Sequence, residues 1–253
     1  MAVDYKDIEE VISVQGLRLI LLKGYPSPWG QAAKAMMEYK ALDYTVGALK
    51  ASEENVEVAT WAGVNSAPIV AWNNESPLNR WDDILLLLER LAPDKPLVPE
   101  EQSVRAQFFG LAYAICGQLG FGWNRRLDGM HTGAQIGRAP GPFGEKYGYN
   151  KNDGERAAQR SINFLQHLTN ILNAQSENGS DYIIGDSVTA VDFYWAAFSN
   201  LAAIQSPEEC PLDPSIRPMF ERVVPEVSAA VDPILIEHRD RIMHSYFKIP
   251  MEL

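Results

Sequence analysis

The chain has 253 residues, with 22 Lys and Arg against 33 Asp and Glu, for a formal net charge of −11. That length admits one large domain or two ordinary ones of roughly 100–200 residues each, and 46% hydrophobic residues are enough to bury a core. Such an acidic chain would be repelled by a phosphate backbone or an anionic membrane, so neither nucleic acid nor a membrane is an expected partner. The two cysteines, Cys116 and Cys210, exclude a disulfide framework and a thiolate-rich metal site, and point to the reducing cytoplasm. The opening MAVDYKDIEE is acidic where a secretory leader starts basic. The longest apolar runs, such as Ile84 to Leu88, fall far short of the ~18 residues of a membrane span.

In chain order, Leu17 to Leu22 is an apolar run closed by Lys23-Gly24-Tyr25-Pro26, the pattern of a buried strand. Ser27 then stands as an N-cap before Pro28, a favoured first helical residue, and Ala32, Ala33, Ala35, Met36, Met37 and Tyr39 give that helix an apolar side. Leu42 to Leu49 alternates like a second strand, parallel to the first because a helix separates them. Ala51 to Val64 is polar and carries no clear period. Ser66 to Trp72 reads as a third strand with a turn at Asn73-Asn74-Glu75, and Pro77 confines whatever follows to a short edge strand. Asp82 to Arg90 is a helix with acids in its first turn, where the dipole favours them. The prolines between Ala92 and Pro99 mark a linker.

Beyond Glu100 the pattern is helical. Val104, Phe108, Leu111, Ala112, Ile115 and Leu119 recur at helical spacing. Gly120 to Lys151, rich in glycine and proline, reads as a long loop of the kind that is functional or mobile. Helices are expected again over Gly154 to Ala174 and Val188 to Ile204, and over a tail from Pro218 to Tyr246 interrupted at Pro225 and Pro233. The expected organisation is an α/β domain over 1–92, a linker over 93–100 and an all-α domain over 101–253.

This order of elements, with Ser27-Pro28-Trp29 at the first helix, Ala67-Pro68-Ile69-Val70 at the third strand and Ile184-Gly185-Asp186 to Asp192 in the helical half, resembles the glutathione S-transferase superfamily over nearly the whole chain. The resemblance implies a thioredoxin-like N-terminal domain, a C-terminal helical bundle, a homodimer, and glutathione as co-substrate with no metal. It also implies a cis peptide before Pro68, where Ala67 presents its backbone to the cysteinyl part of glutathione; taken without that pattern, Pro68 reads as an ordinary edge-strand proline. Thr189 to Asp192 fits a capping box, a structural role.

The resemblance places Ser27 where a hydroxyl stabilises the glutathione thiolate beside a helix N-terminus, although the same position suits a plain helix cap. Tyr25 is a second hydroxyl at that turn, and Trp29 adjoins it. Neither cysteine lies there, which argues against a cysteine-dependent thiol exchange. The family's acid–Ser pair, which grips the γ-glutamyl end, is replaced by Arg80 and Trp81, while Glu75-Ser76 lies several residues early. Arg80 is the candidate for the carboxylate of glutathione, with Asp82 or Asp83 for its ammonium; the alternative is that glutathione affinity has been lost.

Tyr113, Trp123, Arg125, Arg126, Met130 and His131 are the candidate pocket for a second substrate. Trp and Met would form an apolar floor and the arginines would grip an acidic group; core packing is the competing reading for Tyr113 and Met130. Residues 121–160 hold seven Arg and Lys against four acids, a local excess of three positive charges. His167, His238 and His244 show no paired ligand spacing. The leading expectation is a transferase joining glutathione to a small electrophile, aromatic or acidic. The alternatives are a glutathione-transferase-like scaffold acting as a binding protein, and an isomerase or lyase using the same site.

Overall fold

A computed structural model describes residues 3–253. The chain divides into two compact units. The first holds residues 3–97 together with residues 205–215 and 242–253; the second holds residues 98–204 and 216–241. The division is therefore not a single cut near the linker.

In the first unit the elements are α1 (Ile8–Ser13), β1 (Leu17–Leu22), α2 (Pro28–Tyr39), β2 (Tyr44–Leu49), α3 (Val56–Ala62), β3 (Ile69–Trp72) and α4 (Trp81–Leu91). The sheet has the order β2-β1-β3. β1 runs parallel to β2, from Leu17 opposite Tyr44 to Leu22 opposite Leu49. It runs antiparallel to β3, with Leu17 opposite Trp72 and Ile20 opposite Ile69. The expected βαβ unit is present, and the edge strand after Pro77 shrinks to one bridge between Val70 and Leu78.

Alternation along β1 sends its side chains to opposite faces. Ile20 packs with Val11 of α1, Leu49, Val58 of α3 and Ile69. Leu21 faces α2, where a Cβ on Gly30 would come within 3.0 Å of it. Helix α1 sits directly on β2, because Gly47 leaves room: a Cβ there would lie 2.8 Å from Ile20 Cδ1 and 3.1 Å from Ile8 Cδ1. Helix α3 occupies the stretch whose period was unclear. With seven residues it spans too few turns to show one, although Gly63, in the left-handed region at φ +70°, is a helix-stop signal.

The last residues fold onto α2. Gln31 donates to the Glu252 carbonyl (3.0 Å) and Lys34 to the Glu252 carboxylate (2.7 Å), while Met251 is buried and its N–H donates to Glu209 C=O (2.6 Å). Partial burial opposes ionisation of Glu252, but Lys34 and Lys248 outweigh it and hold the carboxyl below its ordinary value of 4.5. A depressed carboxyl stabilises the fold above its unfolded pKa, and that contribution is lost as pH falls through the folded value. The acid limb of a stability–pH curve, read from urea midpoints below about pH 4.5, should therefore be shallower in Glu252→Gln than in the parent. Identical limbs would show that this ion pair contributes nothing.

In the second unit α5 (Gln102–Cys116) is followed by α6 (Phe121–Gln135), α7 (Gly141–Lys146), α8 (Lys151–Glu177), α9 (Ala190–Ser199), α10 (Arg217–Glu221) and α11 (Pro225–Ala229); α12 (Pro233–Tyr246) begins here and ends in the first unit. The long loop expected over Gly120 to Lys151 is thus mostly helix. Polar residues on the buried side of α6 hide its period. Asn124 turns back to the Gly120 and Leu119 carbonyls, and Arg125 pairs with Asp128 one turn on. Pro225 and Pro233 do not interrupt helices but open α11 and α12, the position where a missing N–H costs least.

Every residue of α9 is buried. Trp195 lies 5.7 Å from the Phe121 ring and 6.1 Å from Phe164. The capping box forms as expected, and the Asp192 carboxylate receives more than that box requires. It accepts Thr189 N–H (2.8 Å), Thr189 Oγ1–H (3.1 Å) and Ile183 N–H (2.9 Å), and it lies 2.9 Å from His238 Nε2 of α12.

Candidate functional site

The sequence-predicted site residues of the first unit gather at one end of the sheet. β1 leads through Lys23-Gly24-Tyr25-Pro26 to Ser27, and β3 begins directly after Ala67-Pro68. Because β3 is antiparallel to β1, the start of β3 lies beside the end of β1. The chain then reverses, and Leu78 exchanges hydrogen bonds with Val70 (2.7 and 2.8 Å). Arg80 follows two residues further on, at the start of α4.

Ser27 is the N-cap of α2 by backbone, its C=O accepting Gln31 N–H at 2.8 Å. Its side chain makes no capping hydrogen bond, and the residue is partly exposed. The plain-cap reading therefore lacks the bond that defines it. Tyr25 and Trp29 flank it, both partly buried. The Ala67–Pro68 peptide is cis. Among the described residues the Ala67 N–H and C=O make no hydrogen bond, so both are available at a strand end, where unpaired backbone groups take a ligand.

Arg80 caps α4 and is largely exposed. Its guanidinium meets Asp82 Oδ2 at 2.6 Å and Asp83 Oδ2 at 3.4 Å. The arginine and the two aspartates expected to share the ends of a ligand are thus joined to one another. Among the described residues the buried Asp82 Oδ1 has no donor, which leaves one acceptor of this cluster unused next to Trp81 in the chain. Glu75-Ser76, the displaced acid–Ser letters, lie in the turn at the far end of β3, where Glu75 pairs with Arg90 (2.5 Å).

In the second unit Trp123 and Arg126 meet on α6. The Trp123 indole donates to Tyr147 C=O (3.0 Å) and stands edge-on to the Tyr147 ring at 4.8 Å, with the Arg126 guanidinium 6.0 Å from that ring. Met130 is buried, as the core-packing reading has it, but Tyr113 is half-exposed on α5; its ring covers Gly117, where a Cβ would come within 2.7 Å. Arg125 corrects the expectation that both arginines face a ligand. It is buried, paired with Asp128, and donates to Leu201 C=O at 3.0 Å; burial lowers its pKa and Asp128 works against that shift. His131 lies 3.2 Å from the Tyr149 hydroxyl. Three of the seven basic residues there are paired, Arg160 with Asp153, Lys151 with Glu155 and Arg125 with Asp128, acids already counted in the local excess of three positive charges.

Among the described residues no group of three or more His, Cys, Asp or Glu side chains is placed to hold a metal ion, and no helix is long and apolar enough to cross a membrane. Sequence reasoning missed Arg18, Lys34 and His238 as buried polar residues with defined partners. For Arg18 the signal was present as a lone charge in an apolar strand.

No protein-family model matches the chain, and no curated protein matches it in sequence. Solved structures do match in three dimensions. A glutathione S-transferase from Xanthobacter autotrophicus Py2 covers 94% of this chain and 98% of its own, at 12% identity and a TM-score of 0.58. A rice glutathione S-transferase in complex with glutathione is 16% identical, covers 93% of each chain and has a TM-score of 0.58. Ure2p in complex with glutathione is 13% identical, covers 88% of this chain and 98% of its own, and has a TM-score of 0.57. The chain has the fold of the glutathione S-transferase superfamily, a thioredoxin-like N-terminal part joined to a helical C-terminal part.

Proposed function

We propose that the protein is a glutathione-dependent transferase that joins glutathione to a small electrophile, aromatic or acidic in character. The observation that carries this reading is the sheet end itself. A cis Ala67–Pro68 peptide with unpaired backbone groups lies beside the strand that leads to Ser27, whose side chain makes no capping bond. Ala67 would hold the cysteinyl backbone, and the Ser27 hydroxyl would donate to the sulfur at the positive end of α2, favouring the thiolate. Arg80 and the unused Asp82 acceptor would take the two charges of the γ-glutamyl end, once Arg80 exchanges its aspartate partners for the ligand. The thiol proton passes to water, and the thiolate attacks the electrophilic carbon to form the C–S bond; the electron pair it displaces departs with the leaving group in a substitution or takes a proton from solvent in an addition. Tyr25 is a second hydroxyl for the thiolate, and Trp29 and Trp81 would border the peptide. Tyr113, Trp123, Arg126 and Met130 are proposed for the electrophile, Arg126 for an acidic group on it. Several structural neighbours are described as holding glutathione, which supports the reading.

Ser27→Ala should lower conjugation of a general electrophile at least about tenfold, the usual scale for losing a group that stabilises an attacking anion, with an unchanged unfolding midpoint. Full activity in that variant would remove Ser27 from the mechanism and turn attention to Tyr25.

One observation favours a second reading, a glutathione-transferase-like scaffold that acts as a binding protein. Arg80 is already engaged by Asp82 and Asp83, and no acid–Ser pair stands at the start of α4. Calorimetric titration separates the two: micromolar glutathione affinity supports the transferase, and millimolar or absent binding supports the scaffold. The homodimer belongs to the same proposal, and light scattering tests it.

A further inference from the structure

At the opposite end of the sheet from Ser27, β1 carries an arginine among leucines. Arg18 is 4% exposed. Its Nη1 donates to Ile12 C=O at the end of α1 (3.1 Å), its Nη2 donates to Asn73 C=O after β3, and its guanidinium lies 5.3 Å from the centre of the Trp61 ring. Those bonds use two of the five N–H groups of a guanidinium. Among the described residues the buried Nε has no acceptor, and no carboxylate lies within ion-pair distance of Arg18. Burial lowers its pKa and no acidic neighbour raises it. A buried cation without a counter-charge is costly, and proteins pair such groups or give them a ligand.

Arg18 lines a hollow of about 450 Å³, within the size range of small-molecule sites. The other walls are rich in neutral donors. Gln15, Asn74 and Ser76 bring amide and hydroxyl groups, the Ser13 hydroxyl donates to Glu10 C=O (2.9 Å) and offers only its oxygen, and Trp61 adds an apolar edge. The frame is fixed: Gly16 N–H donates to Asn73 Oδ1 (2.9 Å), Asn73 N–H to Gly16 C=O (3.1 Å), and Gln15 to Asn74 Oδ1 (3.2 Å). Glu75 also borders the hollow, but Arg90 holds its carboxylate. Arg18 to Leu22 is four strand steps, about 13 Å at roughly 3.3 Å each, so this site is separate from the Ser27 end.

We propose that this hollow binds the phosphate group of a small phosphorylated organic molecule, with Arg18 as its counter-ion. Three terminal oxygens, each accepting more than one hydrogen bond, match the unused guanidinium N–H groups and the surrounding hydroxyls and amides better than the two oxygens of a carboxylate. Trp61 and Pro77 offer the organic body its apolar contact.

The test titrates phenyl phosphate, inorganic phosphate and benzoate into the ¹⁵N-labelled full chain. It follows the Arg18 Nε–H, the Trp61 indole and the Gly16 and Asn73 amides, with and without glutathione. Phenyl phosphate should move all four signals with a dissociation constant below about 1 mM. Inorganic phosphate should compete, and benzoate should bind at least about tenfold more weakly. Glutathione should leave this binding unchanged, so the result does not depend on the transferase reading. Ser76→Ala alters one exposed side chain outside that frame and should weaken phenyl phosphate at least about fivefold with an unchanged unfolding midpoint. Arg18→Lys, which keeps the charge and loses the fork, should weaken it at least about tenfold. No movement of the Arg18 and Trp61 signals at about 10 mM phenyl phosphate, benzoate binding as tightly, or competition by glutathione would each overturn the proposal.

Discussion

Replacing Asp192 by alanine should destabilise the protein by about 3–5 kcal/mol, the scale for removing a buried carboxylate that accepts several hydrogen bonds. The residue is 0% exposed, and its carboxylate is the meeting point of the α9 cap, the Ile183 N–H and His238 of α12. Without it, two backbone N–H groups, a hydroxyl and a ring nitrogen lose their acceptor inside a helix bundle, where each unmade bond costs about 1–3 kcal/mol. His238 would be the worst placed, because its Nδ1 already lacks a partner. Against a typical total of about 5–15 kcal/mol, that is enough to melt α9 at moderate urea. Asp192→Asn keeps one acceptor oxygen and should recover part of the loss. Urea unfolding followed by far-UV circular dichroism gives both numbers. A cost below about 1 kcal/mol for alanine would mean that water replaces the carboxylate and that the bundle does not depend on this junction.

Gly120→Ala should cost about 3 kcal/mol, and Gly129→Ala should have the opposite sign. The glycine at 120 is not required by its dihedral angles, since φ −73° and ψ −178° are open to any residue. It is required by space. A Cβ there would lie 2.7 Å from Tyr113 C=O, 2.8 Å from Ala114 C=O and 2.9 Å from Gly117 C=O, and these are backbone atoms that cannot swing aside as a side chain can. Relief would have to come from opening the junction between α5 and α6, which Gly120 holds through its N–H to Gly117 C=O (3.0 Å) and its C=O to Asn124 N–H (2.9 Å). At Gly129, in the middle of α6, a Cβ meets nothing within 4 Å. There alanine gains helix propensity of about 0.5–1 kcal/mol. Thermal melts of the two variants side by side test the argument, and equal effects would refute it.

The elements legible in the sequence were those with a strong local signal. Leu17–Leu22 and Ile69–Trp72 are apolar and β-branched between breakers, and Pro28 and Asp82-Asp83 mark helix starts by capping and dipole chemistry. The sheet end was legible for the same reason, because Ser27 and Pro68 sit at strand boundaries that can be counted along the chain. Helix α6 was not, since its buried face carries Asn124, Arg125 and Asp128, whose compatibility with burial depends on partners that no period reveals. The engagement of Arg80 by Asp82 and Asp83 and the docking of Glu252 on Lys34 are likewise outcomes of folding, the latter across a separation of 218 residues.

That long-range docking bears on how the protein is made. Most of the thioredoxin-like part precedes the helical part, yet Glu252, Met251 and the 205–215 segment that complete it come only after residues 98–204 of the second unit. A nascent chain halted at the linker would hold Lys34 with Glu38 alone for its charge and an uncovered patch on α2. Final consolidation of the first part therefore waits for synthesis of residues 205–215 and 242–253, and a gene cut at the linker encodes a fragment lacking part of its own core.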